Sequence, residues 1–162
     1  MIVVADASPL QYLVRIEAIN VLLPLYHRVL VPQSVARELQ HNNTPAAVRT
    51  WIAQPPAWCE VRPDPPADPA LAFLDPGERA AIALAIAVHA DGLLIDEYEG
   101  RQEAEHRGLP VTGTLGVLGV AHRAGLLDFE TTLAQLRRTN FYISDAIVDG
   151  LRQRLARAEG KT

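Results

Sequence analysis

Short apolar runs alternate with helical patterns along this chain, and that alternation limits the fold more than any other feature. IVVAD, RVLVP, GLLID and LPVTG read as strands, with helical patterns between them. A parallel strand pair needs a crossover of a dozen or more residues, usually a helix, so the pattern predicts an α/β domain on a parallel sheet. SPLQYLVRI predicts a helix directly after Asp6, with Pro9 in its first turn and Ser8 placed to cap it. QSVAREL is helical after Pro32, and Thr44 with Pro45 has the form of a cap and first-turn proline for AAVRTWIA. WCEV reads as a short edge strand, and RPDPPADPA as an exposed connection. Asp75-Pro76-Gly77-Glu78 opens a helix that stays apolar on most faces through Val88. TLGVLGVAHRAG predicts a small-residue helix whose glycines permit close packing. DFETTLAQLRRT and SDAIVDGLRQRLARA predict two further amphipathic helices, the second capped by Ser144.

With 162 residues, 49% of them apolar, the chain is expected to form one domain over residues 1–162. Its formal charge is 15 − 19 = −4. A mildly acidic chain lacks the overall positive field of a non-specific nucleic-acid binder, so any RNA contact needs a local basic patch or bound cations. Cys59 is the sole cysteine, which excludes an intrachain disulfide and fits a reducing compartment. MIVVA reads as a first strand rather than a secretory leader, and RAAIALAIAVHA is too short to cross a membrane; a cytoplasmic location is expected.

Four acids stand where strands end or helices begin. Asp6 closes the first strand, Glu38 lies in VPQSVAREL, Glu78 opens PGERAAIALA and Asp96 closes GLLID. In an open parallel sheet, ligands bind outside the carboxyl ends of the strands where strand order reverses, and Asp6 and Asp96 would project there. Each acid also has an ordinary explanation. An aspartate after a strand caps a helix or forms a turn, Asp75 with Glu78 fits a capping box, and Glu38 beside Arg37 fits a solvated face. Gathered together, the four would repel one another unless a cation neutralised them. Hard oxygen donors suit Mg²⁺ or Mn²⁺, ions that activate water and steady the leaving oxygen in phosphodiester cleavage.

Other residues join this reading more loosely. Ser8 fits a cap or a group that holds a water of the site. Arg101, about one turn beyond Asp96, is the preferred substrate contact over Arg137, Arg138, Arg152, Arg154 and Arg157. Thr114, in Gly113-Thr114-Leu115-Gly116, fits a helix cap whose neighbouring amides could receive a phosphate. Glu97 with Arg101 and Glu103 with Arg107 have the acid-first spacing of exposed helical ion pairs. Several enzyme classes lack support. The five histidines show no zinc-site pairing, and no G-x-S-x-G, P-loop or G-x-G-x-x-G follows a strand. Ser8 stands where haloacid-dehalogenase-like phosphatases carry their second aspartate.

Asp-x-Ser after the first strand, the glutamate of VPQSVAREL, an acid opening an alanine-rich helix and the aspartate of LLID together resemble the PIN-domain nucleases. LDPGERAAIALA, LLIDE with the later Arg101, and LPVTGTLGVLGVAHRAGLL resemble a prokaryotic PIN-like subgroup related to VapC-type toxins. The likeness runs from Met1 to about Leu127. It implies a three-layer α/β/α fold with a central parallel sheet of four to five strands; residues 128–158 lie beyond the likeness as a C-terminal helical extension. It implies a metal-dependent endoribonuclease that hydrolyses RNA phosphodiester bonds as the toxin of a type II toxin-antitoxin system. Asp6, Glu38, Glu78 and Asp96 would form its catalytic, metal-holding quartet with Mg²⁺ or Mn²⁺, and Ser8 its hydroxyl residue. It further implies an RNA substrate, a cognate antitoxin and a homodimer. Two departures stand out: Glu78 replaces the aspartate usual in the toxins, and the added helices exceed the compact toxin core. Both leave open a non-catalytic module that holds RNA or protein.

Overall fold

Val3, Val4 and Ala5 are shielded on both faces, as a central strand requires, and β1 (Ile2–Ala5) is the middle of the sheet. The computed structural model describes residues 1–160; positions 161 and 162, the end of the domain expected over 1–162, lie outside the described residues. After β1 come α1 (Ala7–Arg15), a 3-10 turn (Ile19–Val21), α2 (Leu22–Tyr26), β2 (Arg28–Pro32), α3 (Gln33–Leu39), α4 (Ala46–Ala53) and β3 (Cys59–Arg62). A second 3-10 turn (Pro69–Leu71) leads to α5 (Pro76–Ala87), β4 (Gly92–Leu94), α6 (Tyr98–His106) and β5 (Val111–Thr112). The chain then continues through α7 (Thr114–Arg123), α8 (Phe129–Arg137) and α9 (Asp145–Ala158).

All strand pairs are parallel, in the order β3-β2-β1-β4-β5. The chain moves outward from β1 to β2 and β3, then returns to lay β4 on the other side of β1. Strand order therefore reverses between β1 and β4. Ala5 stands opposite Leu94, and the Asp6 N–H donates to the Leu94 carbonyl at 2.9 Å. Asp6 and Asp96 thus leave adjacent strands at the same edge, on either side of the reversal.

Side chains alternate across the sheet with a period of two. Val3, Ala5, Val29, Val31 and Leu94 pack into one layer with residues of α1, α3, α4 and α7. Val4, Leu30, Leu93 and Ile95 pack into the other with α5 and α6. The result is the three-layer α/β/α arrangement, with five strands and WCEV supplying the edge strand β3. Phe129, Leu133 and Leu136 of α8 and Val148, Leu151 and Leu155 of α9 lie in the same buried cluster as Leu10 and Leu118. A Cβ at Gly119 of α7 would meet Leu151 Cδ2 at 3.4 Å, which is the close packing that the small residues predict. Arg152 donates to both oxygens of Glu130 at 2.9 and 2.7 Å and joins α9 to α8.

Local chemistry corrects three expectations. Ser8 lies inside α1 and donates its hydroxyl to Asp96 instead of capping the helix. Thr44 donates to the Glu38 carbonyl at 3.1 Å, and Pro45, still extended at φ −54° and ψ 143°, is itself the residue that precedes α4. Arg107 pairs with Glu103 as the spacing predicts, but Arg101 turns away from Glu97 to the Ile95 carbonyl. The Ser144 cap forms, accepting from the Ile147 amide, and Asp128, which was not singled out, caps α8 by accepting from the Thr131 amide. Among the described residues no helix is long and apolar enough to cross a membrane.

Candidate functional site

The topology brings the four expected carboxylates to one place, with a fifth. β1 delivers Asp6, β4 delivers Asp96, and α3 packs against α5 so that Glu38 faces the turn carrying Asp75 and Glu78. The charges of Asp75, Glu38 and Asp96 all bear on Asp6; Asp75 bears on Glu38; and Asp75 and Asp6 bear on Glu78. Asp6 and Glu78 are buried, at 5% and 7% exposure, while Glu38 and Asp75 stand exposed at the rim.

Burial raises the Asp6 carboxyl to about 7; the Ala7 amide works against that rise, and the three neighbouring acids add to it. Glu78 is pushed up to about 8, first by burial, then by the charge and hydrogen bonding of Asp75, then by Asp6. Glu38 is raised by partial desolvation of its carboxyl and by Asp75. None of these five acids takes part in an ion pair among the described residues. Asp75 is the member that sequence reasoning missed. Its capping role was legible and is real, since it accepts from the Glu78 amide at 2.8 Å, but that role hid its second one as a charge in the cluster.

Asp96 is held from three sides. Its Oδ1 accepts the Thr114 amide at 2.7 Å, and its Oδ2 accepts the hydroxyls of Ser8 at 2.6 Å and Thr114 at 2.7 Å. The expected cap at Thr114 is thus reversed. Thr114 is the first residue of α7, and Asp96 satisfies its amide from the neighbouring strand. Arg101 lies beside Asp96, donating to the Ile95 carbonyl at 3.3 Å. A Cβ at Gly113 would stand 2.7 Å from Arg101 Nη1 and 2.9 Å from Asp96 Oδ1, so only glycine lets both approach the start of α7.

The donor chemistry fits a hard divalent cation. All five groups are carboxylates, two are buried far enough to resist ionising, and among the described residues none is in an ion pair. Gly77 keeps the space between two of them open, since a Cβ there would lie 3.4 Å from Asp6 Oδ1 and 3.6 Å from Asp75 Oδ1. As they stand, no three His, Cys, Asp or Glu side chains among the described residues are set to ligate an ion. Asp96 would offer only the lone pairs that its three donors leave free.

A cavity of ≈ 920 Å³ adjoins the cluster at Asp96 and Ser8 and is walled by α6, α7 and α9. Arg101, Arg123 and Arg154 line it. Of the arginines weighed from sequence, Arg101 and Arg154 reach this wall, while Arg152 is committed to Glu130. Arg123 escaped notice because nothing in its local sequence shows that α7 turns its end toward α9.

The family model "DUF3368: PIN domain" matches residues 2–157 of the chain. A PilT N-terminus domain protein from the hyperthermophilic archaeon Sulfolobus solfataricus is similar in structure, with a TM-score of 0.50 and 14% sequence identity over 89% of this chain and 100% of that one. At that identity the likeness is one of fold alone. No curated protein matches the chain.

Proposed function

The chain belongs to the PIN-domain family, whose members are commonly nucleases and typically bind Mg²⁺, and on that premise we propose that it is a metal-dependent endoribonuclease hydrolysing RNA phosphodiester bonds. The observation that carries this reading is the cluster of five carboxylates at the strand-order reversal, two of them buried and none in an ion pair among the described residues.

Asp6, Glu38, Glu78 and Asp96 would hold one or two Mg²⁺ or Mn²⁺ ions, with Asp75 adding charge at the rim. A bound divalent cation would supply Lewis-acid activation of water and neutralise charge on the phosphoryl oxygens. The chain's own groups prepare that chemistry. Ser8 and Thr114 fix the carboxylate of Asp96, so it does not reorganise when charge develops nearby. Burial of Asp6 and Glu78 keeps competing water from their carboxylates and lowers the local dielectric. Arg101, half-buried beside Asp96, would take a phosphate oxygen of the substrate. The toxin role implied by the resemblance is the narrower form of this proposal; it expects growth arrest on induction, relieved by a cognate antitoxin.

Purified protein is tested on a panel of structured and single-stranded RNAs with Mn²⁺, with Mg²⁺ and with EDTA, beside Asp6→Asn. Cutting is expected only with metal, and the variant should lose on the order of 10²-fold or more in rate, since even outer-shell partners of metal ligands are worth 10–100-fold. A second reading, a non-catalytic PIN-fold module, is favoured by the three donors already on Asp96 and by the lack of a preset ligand trio among the described residues. If wild type and variant are folded and equally inert on every RNA, that reading replaces the first.

A further inference from the structure

Glu38 stands on the shortest helix of the site. That helix, α3, has seven residues, about two turns, and a helix of this length is marginal without tertiary restraint. Val35, Ala36 and Leu39 seat α3 in the core, but apolar burial is non-directional. The aim of the helix is therefore set by polar bonds at its ends. At the carboxyl end, the Thr44 hydroxyl donates to the Glu38 carbonyl at 3.1 Å. At the amino end, the residue before the helix is Pro32, which has no side-chain acceptor to offer.

An acid 30 positions away supplies that acceptor. Asp64 Oδ1 accepts the Ser34 amide at 3.0 Å, and Asp64 Oδ2 accepts the Ser34 hydroxyl. Ser34 lies in the first turn of α3, where a carboxylate also meets the positive end of the helix dipole. Glu38 follows Ser34 by four positions, one turn further along the same side of the helix. Asp64 itself belongs to a stiff segment, because Pro63, Pro65, Pro66 and Pro69 fix φ at four of the seven positions 63–69. At the far end Asp68 accepts the Ala70 amide and Arg107 Nη1, each at 2.9 Å, which fastens the segment to the end of α6. The segment leaves β3 at the same sheet edge as Asp6 and Asp96, because the strand pairs are all parallel.

We propose that Asp64 is a positioning residue for the acidic cluster: its two bonds to Ser34 set the tilt of α3 and thereby keep Glu38 turned toward Asp6 and Asp75. Charge makes such a restraint necessary. Glu38 and Asp6 act on each other as like charges, as do Glu38 and Asp75, and a two-turn helix can relieve that repulsion by tilting outward. The inference rests on the nuclease reading, in which Glu38 helps to hold the divalent cation. An ordinary cap stabilises its helix and does no more; a positioning residue changes what Glu38 can reach.

The test uses the full chain and counts free Mn²⁺ by electron paramagnetic resonance. Asp64→Ala should weaken Mn²⁺ binding about fivefold, the equilibrium factor of one helix cap. Asp64→Asn keeps an oxygen for the Ser34 amide and should bind within about twofold of wild type, because asparagine caps as well as aspartate. Ser34→Ala removes the hydroxyl bond alone and should give a smaller loss. The decisive comparison is made in Glu38→Ala. There Asp64→Ala should have no further effect on Mn²⁺ binding, since the residue through which it acts is gone. Circular dichroism checks that every variant is folded, and Ser34→Ala carries the same cycle if Asp64→Ala is not.

Mn²⁺ binding by Asp64→Ala equal to that of wild type overturns the proposal. An equal loss with and without Glu38 also overturns it, because Asp64 is then a prop for the fold at large. A loss in Asp64→Asn as deep as in Asp64→Ala does the same, by making charge rather than position the active property. Incubating the same proteins with RNA and Mn²⁺ separates this proposal from the nuclease reading. Cleavage by wild type, with metal binding unchanged in Asp64→Ala, keeps the nuclease and removes the positioning role. The expected pattern of Mn²⁺ binding, with no cleavage by wild type, keeps the positioning role and removes the nuclease. A wild type that binds no Mn²⁺ removes both.

Discussion

At the scale of single residues, the site is governed by who supports whom. Ser8 shows this most directly, because its hydroxyl spends itself on Asp96 Oδ2 at 2.6 Å rather than on capping α1, in whose first turn it lies. Removing it as Ser8→Ala leaves one hydroxyl on that oxygen and frees the carboxylate to rotate about the Thr114 amide. Affinity for Mn²⁺, measured by isothermal titration calorimetry, is expected to fall about tenfold, the usual cost of losing an outer-shell partner. Unchanged affinity would show that Asp96 is held by Thr114 alone or lies outside the metal's reach. The Asp-x-Ser spacing was legible in the sequence, but the direction of the serine was not. A residue three positions after a strand caps locally or bonds across the sheet depending on which strand lies next to it, and that is fixed only by the fold.

At the scale of elements, α8 and α9 are structural partners of the sheet layer, not appendages. Phe129 is 1% exposed within the cluster that holds Leu10 and Leu118. Phe129→Ala should therefore cost about 3–5 kcal/mol of stability in urea denaturation, the range for emptying a large aromatic site in a packed core. A cost below about 1 kcal/mol would mean that α8 detaches with little consequence for the rest. The strands and most of the helices were readable because each is announced by its own residues: apolar runs, a Ser144 cap, a Pro76 in the first turn. The cavity was not, because its walls come from three helices that are distant in sequence. Periodicity tells that α7 has a small-residue face, and Gly119 against Leu151 fulfils it, but nothing local says that Arg123 and Arg154 then face the same space.

At the scale of the whole molecule, the buried acids make stability depend on pH in an unusual direction. Asp6 and Glu78 have folded values of about 7 and 8, well above their unfolded values of 3.8 and 4.5, so the folded state binds protons more tightly. Their contribution is fully present below the unfolded values and is lost as pH rises through 7 and 8. The exposed acids held low by partners, Glu60, Asp68, Asp128 and Glu130, act in the opposite sense, but only in more acid solution. In EDTA, thermal unfolding is expected several degrees lower at pH 8 than at pH 5.5. Mg²⁺ at about 100 times its dissociation constant should restore about 2.7 kcal/mol, or roughly 5–10 °C for a chain of this size. A metal-free melting temperature that climbs between those pH values would contradict the buried-acid account.

The three bonds to Asp96 tie two properties of the protein together. The carboxylate that faces the acidic cluster is also the rivet that fastens the first turn of α7 to the end of β4. Electrical and mechanical demands thus fall on the same two oxygen atoms. A substitution that alters this carboxylate also loosens the first turn of α7, and a load on that helix reaches the acidic cluster through the same bonds.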